Sequence, residues 1–482
     1  MAGTVATALA EGDSNASPRR AAWQDSHLDD QTRELLAEDA RYFLHQSLST
    51  PCLNVLEAAE GAWITDTAGR RYLDFHGNAV HQVGFGNERV VAAVIDQLGR
   101  LPFSPRRYTN RPAIALARKL AELAPGDLSR VLFTTSGATA NSAAIQLARV
   151  ATGRHKTISM WDAFHGGTLD TISIGGEAQF RAGIGPLLAG TEHVPPPEPY
   201  RCPFRCLDRT GACDLSCARY LDYVLEKEGD VAAVIAETVR NTPSIPPPDY
   251  WAEVRRSCDR HGALLILDEV PHALGRTGRF FTVEHFGIVP DILVIGKGLG
   301  GGIMPLAALI AREGLNVAAD RALGHFTHEK NPVACAAGLA TIAEIEERGL
   351  VRQAAELGTW ALEELRSLQS RHPLVGDVRG LGLLMGVVLV RDRATREPAI
   401  DEAEAVMYEC LSHGLSIKVA MGNVLHLSAP LIVARDELGL AIAIIDDSLT
   451  AVERNLTERP AFGGIAGSRD PIRTSAPVRA TT

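Results

Sequence analysis

Short apolar runs, each closed by small or polar residues and followed by an amphipathic stretch, recur through the middle of the chain. VLFTTSG (131–137) leads into ATANSAAIQLARVA, KTISMW (156–161) into a Gly-rich turn, and VAAVIAE (231–237) into a helical pattern. ALLILDEV (263–270) and ILVIGKG (292–298) continue the series. Runs this short and this continuously apolar read as buried strands, and their alternation with helical periods predicts a mostly parallel sheet flanked by helices. Beyond Pro332 the pattern changes to one long helix that ends at Gly349, and from about 350 to 455 helices mix with a hairpin-like VRGLGLLMGVVLVRD. The pattern therefore divides into 26–75 as the N-terminal segment of a small α+β domain, 76–345 as a large domain, and 346–457 as the C-terminal part of the small one. Residues 1–25 and 458–482, polar or rich in Gly, Pro, Arg and Thr, are expected to be disordered.

A chain of 482 residues is too long for one core, so two or three domains agree with the pattern. The net charge of -10 argues against a nucleic-acid partner. No apolar run approaches the roughly 20 residues that a bilayer needs, and MAGTVATALAEG is not a secretion signal, so a cytoplasmic protein with no membrane partner is expected. Cys202, Cys206, Cys213 and Cys217 are spaced C-x3-C-x6-C-x3-C, without the two-residue gaps of common zinc sites; they read as structural or incidental thiols, and no metal is expected.

Chemistry concentrates at the ends of the predicted strands. Ser136, Gly137 and Ala138 open a helix where small residues let backbone N–H groups approach a phosphate, although a capped tight turn gives the same pattern. Phe164 in WDAFHGG can stack on a planar ring, or simply fill the core. Asp268 and Glu269 end a buried strand, where ligands of such sheets bind; a carboxylate there can pair with a protonated pyridine nitrogen or cap a helix. Lys297 follows another buried strand and is set among glycines. A lysine so placed is costly unless paired or used, and imine formation uses it, whereas the G-x4-G-K-[ST] order of a nucleotide loop is missing.

Together these pieces resemble the class III (ω-amino) aminotransferases over about residues 40–455, most specifically in SGATANSAAIQLAR, LDEV…GRTG, GKGLGGG and THEKNP. The resemblance implies an α/β, aspartate-aminotransferase-like (fold type I) enzyme that uses pyridoxal 5'-phosphate and a small-molecule amine. It implies that Ser136, Gly137 and Ala138 hold the phosphate, Phe164 and Val270 cover the two ring faces, and Asp268 pairs with the ring nitrogen. Lys297 would carry the cofactor as a Schiff base and move the proton, and Glu237 would stand near the ring. Thr327 would reach the phosphate in a neighbouring subunit, which implies a homodimer with sites at the subunit interface.

The chain departs from this family where an amino acceptor would bind. His426 in NVLHLSAPL stands where most members hold an arginine for the acceptor's carboxylate, and Thr242 falls near the position of a glutamate that gates it. Pro271 and His272 replace a common Gln-Thr pair. New polar groups enter instead: His76, Asn78, His81 and Gln82, then Arg106 and Arg107, then Arg240. Neutral drift on loop surfaces explains any one of these. As a set, with FHGNAVHQVGF, LPFSPRRYTN and GGEAQFRAGIGPLLAGTEHVPP, they resemble a class III subgroup, the (R)-1-hydroxy-2-aminoethylphosphonate ammonia-lyases. That likeness implies elimination of water and release of ammonia to give phosphonoacetaldehyde, without a keto acid. Asn78, His81, Arg107, Arg240 and His426 are then the candidate substrate contacts. The alternative is an ω-aminotransferase that moves an amino group to a keto acid or aldehyde.

Overall fold

A computed structural model of the protein describes residues 15–205 and 213–458. Near the N-terminus, strands β1 (Leu56–Glu60), β2 (Trp63–Asp66) and β3 (Arg71–Asp74) form an antiparallel meander. The central strands are β4 (Leu128–Thr134), β5 (Lys156–Met160), β6 (Thr191–Val194), β7 (Val231–Glu237), β8 (Leu264–Asp268), β9 (Ile292–Ile295) and β10 (Ala307–Arg312). They form one sheet in the order β4-β10-β9-β8-β7-β5-β6, parallel except where β10 runs antiparallel between β4 and β9. β8 and β9 are buried almost throughout and β7 loses burial only at Glu237, as expected for strands covered on both faces.

The C-terminal part contributes β11 (Val375–Leu381), β12 (Leu384–Asp392), β13 (Glu397–Pro398), β14 (Leu415–Ser416), β15 (Lys418–Ala420) and β16 (Val424–Ser428). β11-β12-β16-β15 form an antiparallel sheet, and the expected hairpin is the β11–β12 pair. β14 pairs in parallel with β3, so the N-terminal meander and the C-terminal segment share a sheet. The helix after Pro332 runs Pro332–Glu347, started by Pro332 and by the Asn331 side chain, which accepts the Ala334 N–H.

The expectation of disorder over 1–25 does not hold for its last part, because residues 18–27 form a helix. The Ser17 side chain accepts the Arg20 N–H and Pro18 supplies a preset φ, a start signal that the polar composition obscured. Trp23 is 4% exposed, and buried Arg20 donates through Nη2 to the Pro51 carbonyl at 2.7 Å. Residues 1–14 and the tail after 458 lie outside the described residues, as does Cys206; Cys202 and Cys213 are half-buried and Cys217 is buried. Among the described residues no cluster of side chains is suited to a metal ion, and no helix is long and apolar enough to cross a membrane.

Candidate active site

The C-terminal ends of β5, β7, β8 and β9 open on one cleft of about 900 Å³, closed on its far side by β15 and β16. Gly137, Ala138, Phe164, Asp268, Val270 and Lys297 all line it, together with Asn78, Glu237, Arg240, Thr242, Pro271, Lys418 and His426.

Asp268 is the most constrained of these. Its Oδ2 accepts from Asn141 Nδ2 at 2.7 Å and from His165 Nδ1 at 2.9 Å, and its Oδ1 accepts the Val270 N–H at 3.0 Å. Burial by itself would raise the carboxyl's pKa, but those donors outweigh it and hold the pKa below the ordinary value, so the group stays ionised. Neighbouring Glu269 points the other way, as strand alternation requires, and accepts from Thr238 Oγ1, Thr282 N and Val283 N. Burial pushes its pKa up to about 7. Asn141 and His165 both lie inside motifs already singled out, yet their grip on Asp268 depends on tertiary contacts that no local pattern encodes.

Ser136 caps the helix Gly137–Thr152, and its Oγ accepts the Thr139 N–H. The first N–H groups of that helix, at Gly137 and Ala138, therefore border the cleft with the helix dipole behind them. A Cβ at Gly137 would lie 2.9 Å from a methyl of Val270, so glycine permits the close contact between cup and floor. Gly166, at φ +132, brings the Phe164 loop onto the same helix: a Cβ there would lie 2.3 Å from that of Ala138. Glu237 fixes this loop by accepting the Phe164 N–H at 3.2 Å through Oε1 and the Asn241 N–H at 2.9 Å through Oε2. The Phe164 ring is 40% exposed and packs against Phe180 at 4.4 Å between centroids. Lys297 follows β9 with φ +47, a left-handed conformation that is strained for a side-chain-bearing residue and marks a constrained position.

The substrate-side expectations fare unevenly. Asn78, Arg240 and His426 line the cleft. His81 does not: its ring lies over Gly77, fully buried, with Nε2 on the Asp74 carbonyl at 3.1 Å. Arg107 is exposed and lies outside the cleft of its own chain, and Arg106 pairs with Glu329 at 3.3 Å. A loop motif cannot show which way its side chains turn. Thr327 is likewise exposed and outside this cleft. Arg240 is engaged by its surroundings: Nε donates to Thr242 Oγ1 at 2.9 Å and Nη2 to Glu177 Oε2 at 3.3 Å. His426 is 1% exposed, and burial, with the charge of Lys418 next, holds its pKa well below the ordinary value, so it is a neutral imidazole.

Three buried histidines give the fold an acid limit. Burial pushes His81 and His272 down to about 3 and His426 well below its usual 6.5. Below about 6.5 the unfolded chain takes up protons that the folded chain refuses, so stability falls as pH drops from 6.5 towards 3. The thermal midpoint is expected to fall between pH 7.5 and pH 5, more shallowly in H81Q. A midpoint flat across that range would contradict this assignment.

The class-III aminotransferase family model matches residues 45–449, most of the chain. The chain belongs to this family. It is 48% identical over 455 residues to the (R)-1-hydroxy-2-aminoethylphosphonate ammonia-lyase of Vibrio splendidus (strain 12B01), covering 92% of this chain and 95% of that protein. It is 38% identical to the leucine/methionine racemase of Thermococcus litoralis, covering 88% and 95%. Among solved structures, the omega transaminase from Pseudomonas jessenii in complex with PMP superposes with a TM-score of 0.83 at 31% identity, covering 88% of this chain and 99% of that one. A ring cofactor of that kind fits this member of the class-III family. The cleft offers an ionised buried carboxylate, a helix N-terminus, the aromatic Phe164 and the aliphatic Val270, and a lysine among glycines, held together by contacts that a Cβ at Gly137 or Gly166 would break.

Proposed function

We propose that this protein is a pyridoxal-phosphate-dependent ammonia-lyase that acts on a hydroxylated aminophosphonate such as (R)-1-hydroxy-2-aminoethylphosphonate and yields phosphonoacetaldehyde. One observation carries the choice within the family: a buried neutral His426 lines the cleft where a carboxylate-binding arginine would serve an amino acceptor. A charged hydrogen bond is worth about 1.5–3 kcal/mol and a neutral one about half as much, so keto-acid binding loses its main support. The 48% identity to the Vibrio lyase points the same way.

When bound, the cofactor supplies an electron sink that acidifies the carbon beside the substrate nitrogen and lets a neighbouring hydroxyl depart. The chain's own groups do the rest. Asp268, tied by three donors, presents an ionised carboxylate to the ring nitrogen. Phe164 and Val270 hold the two ring faces, and the N–H groups of Gly137 and Ala138 hold the phosphate, with Ser136 as cap. Lys297 would anchor the cofactor, and its freed Nζ would take the proton from the carbon beside the substrate nitrogen. Water leaves from the next carbon; the released enamine takes up water and divides into ammonia and phosphonoacetaldehyde, so no amino group stays behind. Glu237 is a positioning residue, acting through the Phe164 backbone. The working unit in this proposal is a homodimer in which Thr327, exposed and outside its own cleft, reaches the neighbour's phosphate.

Purified enzyme incubated with the hydroxylated aminophosphonate and no keto acid is expected to release many equivalents of ammonia per active site. The transaminase reading, which the Pseudomonas jessenii likeness favours, expects at most one equivalent until pyruvate or another acceptor is added.

A further inference from the structure

His426 lines one wall of the cleft as an unpartnered buried group, and further unpartnered polar groups lie behind it. Both ring nitrogens of His426, Ser428 Oγ, and Nε and Nη2 of Arg276 are buried without a hydrogen-bond partner among the described residues. Arg276 is buried behind β16, its Nη1 donating to the carbonyl of Ala429, next along the chain from Ser428. Buried donors are seldom left unmet, so an unpartnered imidazole lining the cleft marks a surface suited to an oxygen-rich ligand.

The register of this wall brings in a residue that no motif had suggested. Lys418 on β15 is directly opposite His426 on β16, so the two side chains leave the same face of the sheet, and both line the cleft. On the other flank of His426 stands Gly386, which adds no side chain, so Lys418 is its cross-strand neighbour of consequence. Lys418 is also the leading charge acting on the His426 ring.

Arg240 is the competing cation: its Nη1 is buried without a partner among the described residues, but its other nitrogens are engaged. Its guanidinium is 12% exposed and is tied to a Glu177 carboxylate that is 10% exposed, with Thr242 holding Nε. A dianion brought there would meet the Glu177 charge as well, and withdrawing the arginine would leave a buried carboxylate unpaired.

We propose that the phosphonate end of the substrate docks on the β15–β16 face, with Lys418 as its cationic anchor and His426 as a hydrogen-bond donor. This deepens the lyase reading and rests on it for the identity of the ligand. A compact ammonium meets a tetrahedral dianion as a point charge from one side of the cleft. In this account the family's charge at position 426 has moved across to the neighbouring strand, and the cleft's preference has moved with it.

The test titrates methylphosphonate calorimetrically into wild-type, K418M, K418R and R240Q holoenzymes, and measures turnover of the aminophosphonate without keto acid in each. K418M is expected to weaken methylphosphonate binding about tenfold or more, as for a lost charged hydrogen bond, and to raise KM by a similar factor while kcat changes little. K418R is expected to recover most of the loss. The proposal is overturned if K418M binds methylphosphonate as tightly as wild type, if wild type does not bind it, or if R240Q alone loses it. Lysine-dependent methylphosphonate binding in an enzyme that ignores the aminophosphonate keeps the anion site and sinks the lyase reading. Turnover with unchanged KM in K418M does the reverse. Should K418M fail to fold, K418Q carries the same comparison.

Discussion

Lys297→Ala is expected to leave a folded protein whose turnover falls about 10³-fold or more, the upper range for losing a positioned base, with further loss because the covalent anchor goes too. The expectation follows from position. Lys297 comes at the end of β9, in the turn where the sheet meets the cleft, and holds a left-handed φ of +47 that a residue with a side chain adopts only under constraint. The variant should also lose the visible absorption of the lysine-bound cofactor. Added methylamine should restore part of the rate, because it supplies the missing base in solution while the cleft stays intact. Turnover within tenfold of wild type, or rescue that requires no amine, would remove Lys297 from the chemistry.

The parts of this site that were legible in the sequence are those that local pattern encodes. A buried strand announces itself by continuous apolarity, and the first polar residue after it is placed at the strand's mouth, which is why Asp268 and Lys297 could be named from ILD and VIGK. Ser136 was readable as a cap because capping is a contact over three residues. Strand alternation also says that Asp268 and Glu269 face opposite ways, but which of them faces the cleft is decided by Asn141 and His165, each over a hundred residues away in sequence.

What was not legible is set by register and by loop direction. Lys418 and His426 are neighbours only because β15 and β16 pair at that register; a shift of one residue would put Lys418 on the other face. Glu177 and Arg240 meet across 63 residues. His81 and Arg107 sit in polar loops, where the side chain's direction depends on backbone turns: the left-handed Gly77, Asn78 and Ala79 carry His81 behind the cleft wall and leave Asn78 in front. The helix at Pro18 is hidden for the opposite reason, since its Ser-Pro start signal is local but its polar composition resembles that of disordered chain.

Asp268→Asn tests whether the buried carboxylate works through its charge. The substitution keeps the shape but leaves one oxygen to serve the donors from Asn141, His165 and Val270, and turns an NH2 group towards at least one of them. It also removes the negative charge that would keep the ring nitrogen protonated. Turnover is expected to fall about 10²–10³-fold, comparable to losing one preorganised electrostatic contact. Stability should fall by about 1.5–3 kcal/mol for each broken hydrogen bond to the charged group. The two losses separate with pH. The folded pKa of Asp268 is depressed, so its stabilising contribution is present above its unfolded value of 3.8 and is lost as pH falls through the folded value; the wild-type advantage over D268N in urea midpoint should therefore hold at neutral pH and shrink in acid. Reconstitution of D268N with a cofactor methylated at the ring nitrogen, which carries a permanent positive charge, should recover part of the rate without recovering the urea midpoint. If rate and midpoint instead return together, or neither the charge nor the amide matters to turnover, Asp268 is a structural strut and the electron-sink role falls to another group.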